Sequence, residues 1–330
     1  MKNVKLKRGG GVCVLILAAG AGTRMKSTLP KVLHPVGGKP MVSYVLRLAH
    51  ALKSNGIGVV VGHEGEQVRT KVLELAKVWG MKLVPTFVRQ KSPTGSGGAV
   101  LEAIPFLRNF QTAMVLCGDT PLLSYESLFA LLNTHREQKN QVTFLTAKLP
   151  NPTGYGRVVR GPLGDVMKIV EEAELTPKEA AITEVNSGAY CFEVALLMQA
   201  VREIKPTGQK REQYLTHALE LIHRKGGRIA AYMSPNFEEI MGVNTRVHLG
   251  QAERVLNRRV LDRLMLSGVT VIDPLHAYVD TDVEVEPPWQ EAHRGHRHAA
   301  GRAPASDHGS RGGDEGRRPR FAFRVRGAVA

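Results

Sequence analysis

From residue 12 to about residue 150, short apolar runs alternate with segments whose apolar positions recur at helical spacing. That alternation builds a mostly parallel sheet with helices on both faces, an α/β architecture. Residues 12–17 predict a first strand, 41–52 a helix, 58–61 a strand, and 66–79 an amphipathic helix with Val68, Val72, Leu75 and Val78 inward. A strand at 82–85, a helix from about 96 to 107, a strand at 113–116, a helix at 125–137 and a strand at 142–147 follow. These strands end on one edge of the sheet, where open α/β folds bind ligands.

Beyond residue 150 the pattern is mixed. Gly154-Tyr155-Gly156-Arg157 opens a hairpin-like stretch, 187–192 reads as a strand, and helices are expected at 195–203, 213–224 and 246–266. Short strands return at 269–272 and 277–279, and no repeat is visible before Glu286. The last 44 residues then contain no Leu, Ile or Lys and cannot supply a core. The abrupt Arg, Gly and Ala bias of 288–330 reads as a disordered tail or a frameshifted reading of a gene rich in G and C.

At 330 residues, 43% apolar and 23% charged, the chain has the composition of a folded protein with ample surface to bury. Its net charge of +15 favours anionic ligands such as phosphates. Arg254, Arg258 and Arg263 lie opposite Ala252, Val255, Leu256 and Leu264, so that basic stripe reads as a solvated helix face, and no nucleic-acid partner is expected. Residues 1–11 read as a basic extension before a buried strand, and no apolar stretch approaches the roughly 20 residues that span a bilayer. Cys13, Cys117 and Cys191 stand far apart in apolar settings, as expected of core thiols in a reducing cytoplasm. The tail's His293, His296 and His298 carry no expected metal site.

The candidate chemistry lies directly after the first strand, in Leu17-Ala18-Ala19-Gly20-Ala21-Gly22-Thr23-Arg24-Met25 and Leu29-Pro30-Lys31. Small residues there let backbone N–H groups approach an anion, while Arg24 and Lys31 add positive charge on long stems. The Walker spacing is absent, and Met25 stands where a dinucleotide fold wants a third glycine. Asp119, ending an apolar strand on the ligand edge, is a natural anchor for a metal ion.

These residues resemble the sugar-phosphate nucleotidyltransferases, and within them the bacterial bifunctional N-acetylglucosamine-1-phosphate uridylyltransferase/glucosamine-1-phosphate acetyltransferases. Further matches follow in order: Gln90, Gly95-Ser96-Gly97, Gly118-Asp119-Thr120-Pro121-Leu122, Pro152-Thr153-Gly154-Tyr155-Gly156-Arg157, Ile169-Val170-Glu171, Asn186-Ser187-Gly188 and Gly242-Val243-Asn244. The resemblance covers residues 12–286 and implies a Rossmann-like nucleotide-diphospho-sugar transferase fold. It implies a nucleotidyltransferase domain at 12–244, a linker helix at 245–268 and the first step of a left-handed β-helix at 269–287.

The implied reaction is Mg²⁺-dependent transfer of uridylyl from UTP to N-acetylglucosamine 1-phosphate, giving UDP-N-acetylglucosamine and pyrophosphate. Arg24 and Lys31 would be catalytic, holding the triphosphate and stabilising charge on the reacting phosphorus. Leu17, Ala18, Ala19, Gly20, Gln90, Gly95 and Ser96 would bind the nucleotide. Gly156, Glu171, Asn186 and Asn244 would face the sugar, and Asp119 with Asn244 would hold Mg²⁺. Two positions depart from the family pattern: Gly95-Ser96-Gly97-Gly98 replaces Gly-Thr-Gly-His, and Cys117 replaces a frequent Tyr. No hexapeptide periodicity follows Pro287, so acetyl transfer is expected to be missing and the chain to be a cytoplasmic monomer. The alternatives are a thymidylyltransferase, whose glycine loop and Lys-Pro segment, here Lys39-Pro40, are similar, and a non-catalytic nucleotide-sugar-binding subunit.

Overall fold

Val12–Ala18 forms strand β1, and its side chains divide strictly between two cores: Val12, Val14 and Ile16 enter one, Cys13 and Leu15 the other. The period of two requires this of a strand covered on both faces. A computed structural model describes residues 11–62, 64–208 and 211–285, with the backbone of 325–326.

The elements follow in order as a short hairpin β2 (Pro35–Val36) and β3 (Lys39–Pro40), α1 (Met41–Ala51), β4 (Gly56–Val61), α2 (Gly65–Val78), β5 (Thr86–Arg89), α3 (Ser96–Glu102), α4 (Ile104–Leu107), β6 (Thr112–Cys117), α5 (Tyr125–Glu137) and β7 (Val142–Lys148). Then come β8 (Arg157–Arg160), β9 (Val166–Val170), α6 (Pro177–Ala180), β10 (Glu184–Glu193), α7 (Val194–Glu203), α8 (Thr216–Arg224), β11 (Ile229–Met233) and α9 (Arg246–Leu266).

Among the described residues nine strands make one sheet, in the order β11-β7-β10-β6-β1-β4-β5, with the β8–β9 hairpin joined to β10. β1 runs parallel to β4 and β6, and β4 to β5, while β10 runs antiparallel between β6 and β7. The start of β10 therefore reaches the edge where the parallel strands end. One core packs α1, α2 and α5 on one face; the other packs α3, α4, α7 and α8 on the opposite face. The expected α/β sheet with helices on both faces is present.

Four local expectations need correction. The strand placed at 82–85 lies at Thr86–Arg89, beyond Pro85, which has no N–H to give a ladder. The single helix at 96–107 breaks at Ala103 into α3 and α4, because Pro105 is tolerated only in a helix's first turn. Val78 is 79% exposed. It sits ~120° around the helix from Val72, the middle of the buried stripe of Val68, Val72 and Ala76, at 3.6 residues per turn, so Ala76 is buried instead. No strand forms at 269–272 or 277–279.

The chain divides into two units, 1–252 and 253–330. In the second, the Asn257 side chain donates to Ala277 O at 2.7 Å and accepts from Val279 N at 2.9 Å. One amide thus does for this segment what a neighbouring strand would otherwise do. No helix among the described residues is long and apolar enough to cross a membrane.

Candidate active site

β1 delivers the chain to a tight loop because the residues after it are too small to fill space. Gly22 adopts φ 62° and ψ 26°, and a Cβ there would stand 2.7 Å from the Cβ of Lys31. Only glycine takes this left-handed, crowded position without strain. Met25 plugs the loop into the core, with its N–H on Gly22 O at 2.8 Å, and leaves Arg24 exposed at the rim. Gly22→Ala is expected to cost about 1–2 kcal/mol in left-handed strain, and thermal melting checks it.

β6 ends beside β1, and Gly118 N extends the pairing by donating to Leu17 O at 2.9 Å. The chain then turns, with Thr120 Oγ1 on Cys117 O at 2.8 Å, and Asp119 emerges at the sheet edge. Asp119 O accepts from Val243 N at 2.9 Å, which brings Asn244 alongside. Lys31 Nζ donates to both the Asp119 carboxylate and, at 3.0 Å, Asn244 Oδ1. The Lys31 and Asp119 side chains are only 13% and 18% exposed, so their pairing is poorly screened.

Two oxygens therefore converge on a cationic nitrogen. That donor set, one carboxylate and one amide carbonyl, suits a hard divalent cation that completes its shell with phosphate and water. No cluster of three or more His, Cys, Asp or Glu that could hold a metal exists among the described residues. Magnesium, which keeps several waters and substrate oxygens, fits the pair Asp119 and Asn244.

The cavity beside these groups measures about 630 Å³. Leu17, Ala19, Gly20, Arg24, Lys31, Gln90, Gly95, Ser96, Asp119 and Asn244 all line it. Ala18 does not; it borders a second cavity of about 300 Å³ shared with Ala19, Gly20 and Gln90. Gln90 is buried, and its Nε2 donates to Gly95 O at 3.0 Å, which presents Oε1 as the end available to a ligand. Gly95 has φ +92°, and a Cβ there would meet Gln213 O at 2.7 Å. The Ser96 hydroxyl accepts from Leu215 N at 2.9 Å, so its oxygen already holds the loop and its hydrogen is what it can offer.

Of the residues expected at the sugar, Asn244 lines this cavity; Gly156, Glu171 and Asn186 do not, but those three gather together. The β8–β9 register places Arg157 opposite Val170, which sets Gly156 against Glu171; a Cβ on Gly156 would lie 3.5 Å from Glu171 Oε2. Asn186 N donates to Gly156 O at 2.9 Å. The Asn186 side chain is held inward: its Nδ2 donates to Tyr190 OH at 2.6 Å and its Oδ1 accepts from Gly188 N at 3.2 Å. Burial pushes the Glu171 carboxyl up, and the Thr216 hydroxyl bond at 2.7 Å opposes that.

Cys117 lies in the cavity wall, with its Sγ 3.6 Å from Gly188 O, and burial pushes its thiol up to about 12. It is thus a neutral wall group. Cys13 and Cys191 are buried, and all three are free. At Gly98 a Cβ would stand 1.9 Å from Thr94 Oγ1, so the imidazole of the family pattern could not be accommodated without moving Thr94.

Glu212 also lines the cavity. It belongs to no glycine motif and has no distinctive spacing, so only the fold reveals it. Its neighbour Tyr214 has its phenol pushed up to about 12 by burial and by the Glu212 carboxylate.

The family pattern described as Nucleotidyl transferase matches residues 13–238. The bifunctional protein GlmU of Pelotomaculum thermopropionicum is 45% identical over 275 residues, which are 83% of this chain and 58% of that protein. GlmU of Thermobifida fusca is 44% identical over 277 residues, 82% of this chain and 56% of that protein. The chain thus spans a little over half the length of these relatives. A UDP-glucose pyrophosphorylase complexed with UDP-glucose superposes with a TM-score of 0.63 at 18% identity, over 75% of this chain and 98% of that one. A putative glucose-1-phosphate thymidylyltransferase from Bacillus anthracis gives a TM-score of 0.62 at 18% identity, over 80% and 98%. At that identity the two structures share the fold.

Proposed function

This chain belongs to the nucleotidyl transferase family, and from that premise we propose that it joins UTP to N-acetylglucosamine 1-phosphate, releasing pyrophosphate and forming UDP-N-acetylglucosamine. A phosphate oxygen of the sugar phosphate forms a bond to the α-phosphorus, and the bond from that phosphorus to the pyrophosphate oxygen breaks. Catalysis of such a transfer consists of aligning two anions and neutralising the charge that gathers between them.

The observation that carries this reading is Lys31 Nζ bridging Asp119 and Asn244 behind the glycine loop. Its flexible stem lets the ammonium leave those oxygens for a phosphate entering the cavity. Arg24, exposed at the rim, closes on the triphosphate from the other side. Asp119 and Asn244 would hold Mg²⁺, which supplies positive charge to the phosphate oxygens when bound. Gln90 Oε1, the backbone at 18–20 and Gly95 select the base, because a wrong donor pattern leaves buried polar groups unpaired. Glu171 accepts hydroxyls of the sugar beside Gly156, Asn186 and Asn244. The catalytic domain spans 12–244 on this reading, and the enzyme works in the cytoplasm.

Pyrophosphate release tests it, with UTP, dTTP, CTP and GTP each paired with N-acetylglucosamine 1-phosphate and with glucose 1-phosphate. UTP with the N-acetylated sugar is expected to give the highest kcat/KM. A higher value for dTTP with glucose 1-phosphate overturns the assignment in favour of thymidylyl transfer, and no turnover with any pair favours a binding protein.

A further inference from the structure

Four consecutive residues, Gln213 to Thr216, touch both halves of the site. The Gln213 backbone donates to Thr94 O at 2.7 Å and accepts from Gly97 N at 2.7 Å. Leu215 N donates to Ser96 Oγ at 2.9 Å. Thr216 Oγ1 then donates to Glu171 Oε1 at 2.7 Å. The segment has little room to shift: a Cβ on Gly95 or Gly97 would strike Gln213 O at 2.7 or 2.9 Å, and the Gln213 side chain is tied to Ile204 O at 2.9 Å. Glu212, just before it, exchanges both backbone hydrogen bonds with Thr207. Leu215 and Thr216 are buried at the start of α8.

Resting on the reading above, we propose that Thr216 is a positioning residue: it fixes the Glu171 carboxylate for the sugar and, through Leu215 and Gln213, makes that placement depend on the nucleotide-side loop 94–97. A carboxylate has two acceptor oxygens with several lone pairs. The Thr216 bond occupies Oε1 and orients the group, which leaves Oε2 on the Gly156 side, where a Cβ would come within 3.5 Å of it. The absence of a side chain at Gly156 keeps that approach open.

Glu171 must be ionised to accept from hydroxyls on both oxygens. Burial raises its pKa, with Glu174 and Glu212 adding to the rise, while the Thr216 bond and His217 lower it. Tyr190, Cys117 and Tyr214 also face this group, and each is itself pushed up and neutral. Losing the Thr216 hydroxyl therefore raises the Glu171 pKa further, and the activity lost as pH falls is lost at a higher pH.

The full chain is assayed with the triphosphate and sugar phosphate that the wild type turns over best. Thr216→Val is expected to raise the KM for the sugar phosphate about tenfold, the scale of one hydrogen bond to a charged group, with the triphosphate KM within about twofold. The acid limb of kcat/KM for the sugar phosphate moves to higher pH, and Thr216→Ser restores both. Ser96→Ala, which frees Leu215 N on the nucleotide side, also raises the sugar-phosphate KM, by about threefold. In the double variant the losses do not multiply, because both cut one path.

An unchanged sugar-phosphate KM and acid limb in Thr216→Val overturn the positioning role, as does a Thr216→Ser variant as impaired as Thr216→Val. Losses that multiply, or a Ser96→Ala variant with unaltered sugar-phosphate KM, overturn the link to the loop, and Ser96→Ala decides this even if Thr216→Val fails to fold. A wild type that turns over no sugar phosphate sinks the enzymatic reading and this inference together; normal wild-type turnover with inert variants sinks the inference alone.

Discussion

Lys31→Ala is expected to lower turnover by more than about a hundredfold, the scale of losing one preorganised electrostatic stabiliser. Lys31 reaches its position because Pro30 precedes it and the turn Lys31–Leu33 points its stem under the glycine loop, where a Cβ on Gly20 would lie 3.9 Å from its Cε. Its ammonium is mostly shielded from water, so its charge would act at low screening on a phosphate entering the cavity. No other described cation occupies that spot, since Arg24 stands at the exposed rim. On the proposed reading, truncation therefore removes positive charge at the place where negative charge grows in the transfer. Lys31→Arg is expected to recover little, because a planar guanidinium does not replace a compact ammonium between Asp119 and Asn244. Pyrophosphate release at saturating substrates reads the loss, and circular dichroism at the assay temperature checks that the variants are folded. Normal turnover by Lys31→Ala would remove Lys31 from the chemistry.

Asp119→Ala is expected to fall by a similar factor, for a different reason. Asp119 carries the negative charge of the two converging oxygen donors, and Asn244 alone is a weak partner for a hard divalent cation. A magnesium titration separates this variant from Lys31→Ala. Asp119→Ala should need much more Mg²⁺ for half of its residual rate, whereas Lys31→Ala should show chiefly a raised triphosphate KM and a lowered kcat. The wild type is expected to lose activity in a chelator and regain it with added Mg²⁺. A wild type indifferent to chelation would remove the metal from the reading and leave Asp119 as the counter-ion of Lys31.

Much of the architecture was legible along the chain. β1, β4, β6 and β7 were readable because each is a short apolar run closed by glycine, proline or polar residues, and burial on both faces demands such runs. The corrections have local physical reasons. Val78 is apolar, but its angular position places it off the buried stripe. Pro105 splits a helix whose apolar period continues through it. The segment 269–279 has strand-like composition, but no ladder partner among the described residues.

The site divides in the same way. Arg24, Lys31, Gln90, Gly95, Ser96, Asp119 and Asn244 were nameable from motifs, and all seven meet in one cavity. Glu212 was not nameable, and neither was the inward hold on the Asn186 amide by Tyr190. A side chain's partners depend on distance, and distance across 88 or 213 positions of chain, as for Lys31 with Asp119 and Asn244, is carried by no local pattern.

Period, small-residue loops and motif order in the chain alone settled the α/β class and pointed to the sheet edge of the candidate site and to most of the residues that meet there. Tertiary structure decided which of their atoms are still available: Lys31 already engaged between two oxygens, Gln90 with its Nε2 tied to Gly95, Ser96 holding Leu215, and Glu171 oriented by Thr216. Local sequence sets backbone preference and burial, whereas hydrogen-bond satisfaction in the interior depends on what distant segments place within about 3 Å.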